Sequence, residues 1–328
     1  MAMYHTGIFA TDTPDETISI ACGTASYVVE GGLVTGSPED IRKTIMRLQE
    51  ERLGHFSSSY EDSDRIRIHN EVRISSPNPD EADAVAHTLV AAMAVSDGNT
   101  LFVSGDDLDL SEVNGDASPH LISRQMQRPV RLAAAVRADG SLHYALHRLA
   151  LSYVSASVHH VDLDPVESAR VFDASTDPYV HVHLANAISL AYSAIEQLSL
   201  QVKASSENPS KVPDGSWNPV VRSDLERRLR DRKIDFVEPQ LWTLRGPPSG
   251  IETKKAPPAS KTVSRWRNPD VRDRELDLLD CISLAGWFRN NLGSHGLSLE
   301  MAPHLTIYDA FNVQHVARRL IMASAGLW

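Results

Sequence analysis

The chain has 328 residues, of which 42% are hydrophobic and 23% are charged, and its formal net charge is −11. This composition is typical of a globular protein with two domains, and no segment approaches the run of about 18 apolar residues that a membrane span needs. Only Cys22 and Cys281 are cysteines, which argues against a disulfide scaffold and a thiolate zinc site. The first residues contain no secretory signal pattern, so we expect a cytoplasmic protein.

Five segments of the first half are rich in alternating or β-branched residues and are predicted to be strands. They lie at residues 18–29, 64–75, 99–105, 130–138 and 149–163. Two helices are predicted between them, at residues 37–52 and 77–95, because polar caps, prolines and acidic residues stand where helices begin. The pattern predicts an α+β domain over residues 1–163, with no phosphate-loop glycine motif.

From about Asp164 onwards apolar residues recur at helical spacing, and we predict an all-α helical bundle over residues 164–328. The predicted helices lie at residues 178–205, 220–233, 271–292 and 306–324. Between about 205 and 265, two polar, proline-bearing stretches interrupt the helices as an insert.

Charge is unevenly distributed along the chain. Residues 1–200 have a balance of −15, whereas residues 201–274 carry 16 basic and 10 acidic residues. A local positive field matters more to an anionic partner than the total charge does. Polyanion binding is therefore open for the second half, and a solvated, charge-rich helix face is the alternative.

A polar cluster follows the apolar segment that ends at Phe288. Arg289 and Asn290 stand directly behind it, and five residues separate the arginine from His295. On one continuous helix Arg289 and His295 would point in different directions, but Gly293 allows a turn that brings them together. A guanidinium that holds phosphate, beside an imidazole that exchanges a proton, is sufficient to cleave RNA without a metal.

This segment, RNNLGSH, resembles the motif of HEPN domains, which has an arginine, four to six residues and a histidine, with a polar residue commonly after the arginine. The earlier helix ISLAYSAIEQLSLQV is similar to the long first helix of that superfamily, with Glu196 in the place of its acidic residue. The resemblance covers roughly residues 165–328. The insert between about 205 and 265 departs from a minimal HEPN domain.

The resemblance implies a metal-independent endoribonuclease, without cofactor, that forms a homodimer and leaves a 2′,3′-cyclic phosphate. Arg289 would hold the phosphate, His295 would be the acid or base, and Asn290 would orient one of them, with Glu196 in support. Such proteins frequently serve in toxin–antitoxin systems and anti-phage defence, and residues 1–163 would bind a regulator. The alternative is a non-catalytic HEPN scaffold that binds nucleic acid or a protein partner.

Further candidate contacts with RNA are the basic residues Arg227, Arg228, Arg230, Lys261, Arg265 and Arg267. Trp242 and Trp266 flank part of the insert and could stack on bases, although packing in the core is the alternative.

Two histidine clusters, His181 with His183 and residues 159–164, are candidate metal sites if the chain is a different helical enzyme. Metal sites usually need three or four convergent ligands, and the sequence fixes no further ligand for either cluster, so we predict no metal site.

Overall fold

The computed structural model describes residues 2–6, 18–22, 25–34, 68–76, 79–98, 127–156, 178–245, 261–265, 268–293 and 305–328, and most of these residues are helical. The chain divides into two compact units, Met1–Asp139 and Gly140–Trp328. This division lies earlier than the boundary predicted after residue 163. The segment between the two boundaries includes a helix that packs within the second unit.

The first unit contains a four-stranded antiparallel sheet. Its strands are β1 (Ala2–Thr6), β2 (Ile18–Cys22), β3 (Ala25–Val34) and β4 (Ile68–Ser76), in the order β1-β4-β3-β2. The single strand predicted at 18–29 is wrong, because this range contains β2 and the start of β3, which pair antiparallel. The strand predicted at 64–75 is confirmed over residues 68–75. The helix predicted at 37–52 and the strand predicted at 99–105 lie outside the described residues.

Two helices accompany this sheet, α1 (Pro79–Asp97) and α2 (Gln127–Ala138). The helix α1 confirms the one predicted at 77–95. The strand predicted at 130–138 is wrong, because Val130, Ala133 and Val136 repeat at helical spacing and are all fully buried, whereas Arg131 is exposed.

The second unit contains five helices among the described residues. They are α3 (Gly140–Ala156), α4 (Pro178–Gln197), α5 (Pro219–Asp231), α6 (Leu278–Phe288) and α7 (Ile307–Ser324). The predicted helices at 220–233 and 306–324 are therefore confirmed, whereas the helix predicted at 178–205 ends at Gln197. The strand predicted at 149–163 is wrong over residues 149–156, since Leu142, Leu146, Leu149 and Tyr153 form one buried helical face.

A three-stranded antiparallel sheet accompanies these helices and corrects the prediction of an all-α domain. Its strands are β5 (Gln240–Arg245), β6 (Lys261–Arg265) and β7 (Asn268–Leu276), in the order β5-β7-β6. The helix predicted at 271–292 begins only at Leu278, because Asp277 caps it: its side chain accepts a hydrogen bond from the Asp280 backbone N–H at 2.6 Å.

The core of the second unit lies where α3, α4 and α7 pack together. Gln314 of α7 donates to the Ser152 hydroxyl of α3 at 2.9 Å, and that hydroxyl donates to the Ala187 carbonyl of α4 at 2.7 Å. All three helices are thus joined by a buried polar chain. Among the residues that the structure describes, no helix combines the length and apolar character needed to cross a membrane.

The first part of the predicted insert is held against α6. The Lys211 ammonium and the Trp217 indole N–H both donate to the Asp280 carboxylate, at 2.7 and 2.8 Å. The same ammonium lies 4.2 Å from the centre of the Trp217 ring. These contacts connect the segment before α5 to the helix that carries the candidate site.

Candidate functional site

The helix α6 ends in a turn of unusual geometry. Residues Arg289–Gly293 form a π-helical turn, and the Arg289 backbone N–H donates to the carbonyls of both Ala285 and Gly286. A π-helical turn is rare and occurs frequently at functional sites. The buried face of α6, which includes Ile282, Ala285 and Phe288, anchors the helix in the core and holds the turn at its end.

The two predicted residues at the start of this turn contact each other. The Arg289 guanidinium donates through Nη1 to Oδ1 of Asn290 at 2.9 Å. The helix-ending role is taken by Asn291, whose side-chain amide donates to the Trp287 carbonyl at 2.7 Å. The guanidinium and the Asn290 side chain therefore lie in contact at the exposed end of α6.

Tyr192 of α4 lies close to Gly286 of α6. A Cβ atom at Gly286 would lie 2.8 Å from the Tyr192 hydroxyl oxygen and 3.2 Å from Cζ. Real Cβ atoms do not come this close, so the two helices can adopt this separation only because residue 286 has no side chain. Arg289 begins the turn three residues after Gly286, and α4 also packs against that turn.

The charges around Tyr192 connect it to three predicted site residues. The pKa of Tyr192 is raised to about 12, chiefly by burial and also by the negative charge of Glu196, while the positive charges of Arg289 and Arg228 act in the opposite direction. The phenol is therefore neutral at physiological pH and keeps its proton as a hydrogen-bond donor. The fold thus brings Glu196 and Arg289 into one electrostatic cluster, where their charges act on the phenol in opposite directions.

Tyr192 is 5% exposed and therefore also packs in the core. Its proximity to α6 has one signal in the sequence: Gly286 is a glycine inside an apolar helical segment, and such a glycine often marks the close approach of two elements. That signal does not reveal which residue approaches. His295, the third member of the predicted motif, lies outside the described residues.

The arginines of α5 that were predicted to contact RNA are engaged within the chain. Arg227 donates to Asp224 and Asp231, both at 2.9 Å. Arg230 donates to Glu226 at 3.0 Å. These pairs occupy helical spacings of three or four residues and largely balance the charge of the exposed face of α5.

Arg228 has a structural position. Its guanidinium donates to Asp224 at 2.9 Å and to the carbonyls of Ser199 and Gln201, and only 10% of its side chain is exposed. It therefore holds the segment that follows α4 against α5. The remaining predicted RNA contacts are not placed: Lys261 and Arg265 lie on β6, where only the backbone is described, and Arg267 lies outside the described residues.

The predicted aromatic and histidine candidates also make contacts within the chain. Trp242 is 2% exposed and stacks on Phe288 with ring centres 5.8 Å apart, so packing is its role. His181 is buried, which lowers its pKa, whereas His183 contacts the Tyr179 ring, with the ring centres 4.4 Å apart.

Adjacent metal ligands would have to converge, and His181 and His183 do not. Trp266 and residues 159–164 lie outside the described residues. Within the described ranges, no group of three or more histidine, cysteine, aspartate or glutamate side chains is arranged to hold a metal ion.

Comparison of the chain with models of protein families, with curated proteins and with solved structures found no match.

Proposed function

We propose that the chain is a HEPN-type endoribonuclease that cleaves RNA without a metal ion. The observation that carries the proposal is the 2.9 Å contact between Arg289 and Asn290 in a π-helical turn, beside the helix that bears Glu196. The motif RNNLGSH thus begins at the end of an apolar helix that packs against α4.

In this proposal Arg289 binds the phosphate that is cleaved. A guanidinium presents several N–H donors in one plane and can hold two phosphate oxygens at once. The contact with Asn290 restricts its rotation, so less entropy is lost when phosphate binds. As negative charge builds on the phosphate oxygens, the guanidinium stabilises it.

His295 supplies the proton transfer. The imidazole takes the proton from the 2′-hydroxyl, whose oxygen attacks the neighbouring phosphorus, and the bond from phosphorus to the 5′-oxygen breaks. The leaving oxygen receives a proton from an imidazolium or from water. The products are a 2′,3′-cyclic phosphate and a 5′-hydroxyl, with no change in oxidation state.

Tyr192 and Glu196 support the guanidinium. Glu196 is half-buried on α4, one turn after Tyr192, and its negative charge acts on the same phenol as Arg289 does.

We further propose that two copies of the chain assemble with their motifs facing each other across a two-fold axis. A nuclease that is toxic to its own cell requires control, and residues 1–163 are the candidate for binding a regulatory partner. A role in toxin–antitoxin or anti-phage systems follows from the same reasoning.

The direct test is cleavage of total RNA by the purified chain with EDTA present. We expect the wild type to cleave and to leave cyclic phosphate ends, and Arg289→Ala and His295→Ala each to lower the rate at least about a hundredfold. The matched control is Arg131→Ala, which removes an exposed arginine of α2 and should keep the wild-type rate.

RNA that stays intact with all of these proteins, alone and with the native binding partner, would refute the nuclease and favour the HEPN scaffold. Loss of activity in EDTA would refute the metal-independent mechanism. Asn290→Ala gives a graded test, since it frees the guanidinium without removing it. We expect a smaller loss of rate than for Arg289→Ala.

A further inference from the structure

Two histidines of α3 face each other at one turn of separation. His143 and His147 lie four residues apart, both are half-buried, and their Nε2 atoms are 3.2 Å from one another. The ring centres are 4.9 Å apart with an angle of 60° between the planes. Two imidazole nitrogens, which commonly bind metals in proteins, therefore lie side by side on the helix.

The distance between these nitrogens is the one that a shared metal ion requires. With metal–nitrogen bonds of about 2.0–2.1 Å, two ligands of one ion lie roughly 3.3–3.4 Å apart in tetrahedral geometry and roughly 2.8–3.0 Å apart at the right angle of an octahedron. The observed 3.2 Å lies between these values. A small rotation of either ring adjusts the pair to either geometry.

The helix holds this pair in place without help from the metal. On the opposite face of the same turns, Leu142, Leu146 and Leu149 are buried in the core. Arg148 also ties α3 to α4 by donating to the Ser193 carbonyl at 3.2 Å. Because the backbone is fixed before an ion arrives, only side-chain freedom is lost on binding.

We propose that His143 and His147 form a binding site for a divalent transition-metal ion such as Zn²⁺ or Ni²⁺, with water in the remaining coordination positions. Imidazole nitrogen suits these ions, whereas Mg²⁺ and Ca²⁺ prefer oxygen ligands. Both rings bind in the neutral form through Nε2, with the proton on Nδ1. Among the described residues no third histidine, cysteine, aspartate or glutamate joins the pair, so these two imidazoles are the protein ligands of the proposed site.

This site is separate from the proposed ribonuclease reaction, which uses no metal. Each inference can therefore fail without the other. An ion bound here stabilises the folded chain, since the two imidazoles converge only when α3 is helical.

The test is calorimetric titration of the full, tag-free chain with NiCl₂ and ZnCl₂ at about pH 7.5, roughly one unit above the ordinary histidine pKa. We expect one ion per chain, a higher melting temperature in its presence, and no binding of Mg²⁺. His143→Ala and His147→Ala should each lower the affinity on the order of tenfold or more and remove the thermal shift. The control is His87→Ala, an exposed histidine on α1 that should change neither.

Two results would overturn the proposal. The first is a wild type that binds neither ion at millimolar concentration. The second is binding that persists unchanged in both variants, which would place the ion at other histidines. The melting temperatures of the variants without metal show that each has folded, so a loss of binding cannot come from unfolding.

Discussion

The contact between Tyr192 of α4 and Gly286 of α6 gives a prediction whose size follows from the distances between atoms. Gly286→Ala would place a Cβ atom 2.8 Å from the Tyr192 hydroxyl oxygen, 3.2 Å from Cζ and 3.3 Å from Cε2. The phenol is 5% exposed, so it cannot move away without disturbing its neighbours. Overpacking of this kind costs about 1–3 kcal/mol, and the better helix propensity of alanine offsets about 1 kcal/mol.

We therefore expect Gly286→Ala to lower the free energy of unfolding by up to about 2 kcal/mol. Urea denaturation followed by circular dichroism measures this change. The control is Gly140→Ala at the start of α3, where an added Cβ meets no atom within 4 Å and should have little effect. Because Arg289 lies one turn beyond Gly286, the rate of RNA cleavage should also fall in Gly286→Ala.

A double-mutant cycle assigns the cost to the hydroxyl. Tyr192→Phe removes the oxygen at 2.8 Å and leaves Cζ at 3.2 Å as the nearest of the three atoms. In that background Gly286→Ala should cost less by about 1 kcal/mol. If Gly286→Ala stabilises the chain, or if its cost is the same in the Tyr192→Phe background as in the wild type, the packing argument is refuted.

Three further predictions concern the second unit, and urea denaturation tests each. Asn312 donates to the Thr243 carbonyl at 2.7 Å and accepts from its N–H at 2.9 Å, so Asn312→Leu should cost about 2–3 kcal/mol; an equally stable variant would contradict this. Arg319 is 1% exposed and donates to the Asp235 carbonyl at 2.8 Å. Arg319→Met should therefore lower the free energy of unfolding by about 2–4 kcal/mol, and a loss under about 0.5 kcal/mol would be inconsistent with that role. Burial raises the pKa of Asp309 to about 7. The folded chain therefore keeps a proton that the unfolded chain releases near pH 4, and the free energy of unfolding should fall by up to about 4 kcal/mol as pH rises from about 4 to 7. Asp309→Asn should remove this fall, and a wild-type slope retained in the variant would exclude Asp309 as its source.

Where local signals were strong, the sequence predicted the elements. Asn218 followed by Pro219 begins α5 as a cap and a first-turn proline should, with the Asn218 side chain accepting from the Val220 N–H at 3.0 Å. Thr306 and Asp309 mark the start of α7 through a hydrogen bond from the Thr306 N–H to the Asp309 carboxylate at 2.7 Å. Caps act within a few residues, so their effect is readable from the chain alone.

Short apolar segments were misjudged for a physical reason. Residues 130–138 and 149–156 contain β-branched residues that suit a strand, yet both are helical. Each has a face at helical spacing that becomes buried against other elements, and that burial outweighs a weak local preference. The strand β7 shows the opposite case. Residues 272–275 are consecutive charged residues of alternating sign, and the segment is a strand because it pairs with β5 on one side and β6 on the other.

For the candidate site, the sequence by itself determined the local part: Arg289 and Asn290 stand at the end of an apolar helix, and the arginines of α5 have acidic residues at spacings that allow pairing. Only the tertiary structure decided that Tyr192 approaches Gly286 and that Glu196 shares an electrostatic cluster with Arg289. These residues lie far apart along the chain, and which of them meet depends on how α4 and α6 cross. The crossing is decided by close packing of the whole core, to which every helix contributes.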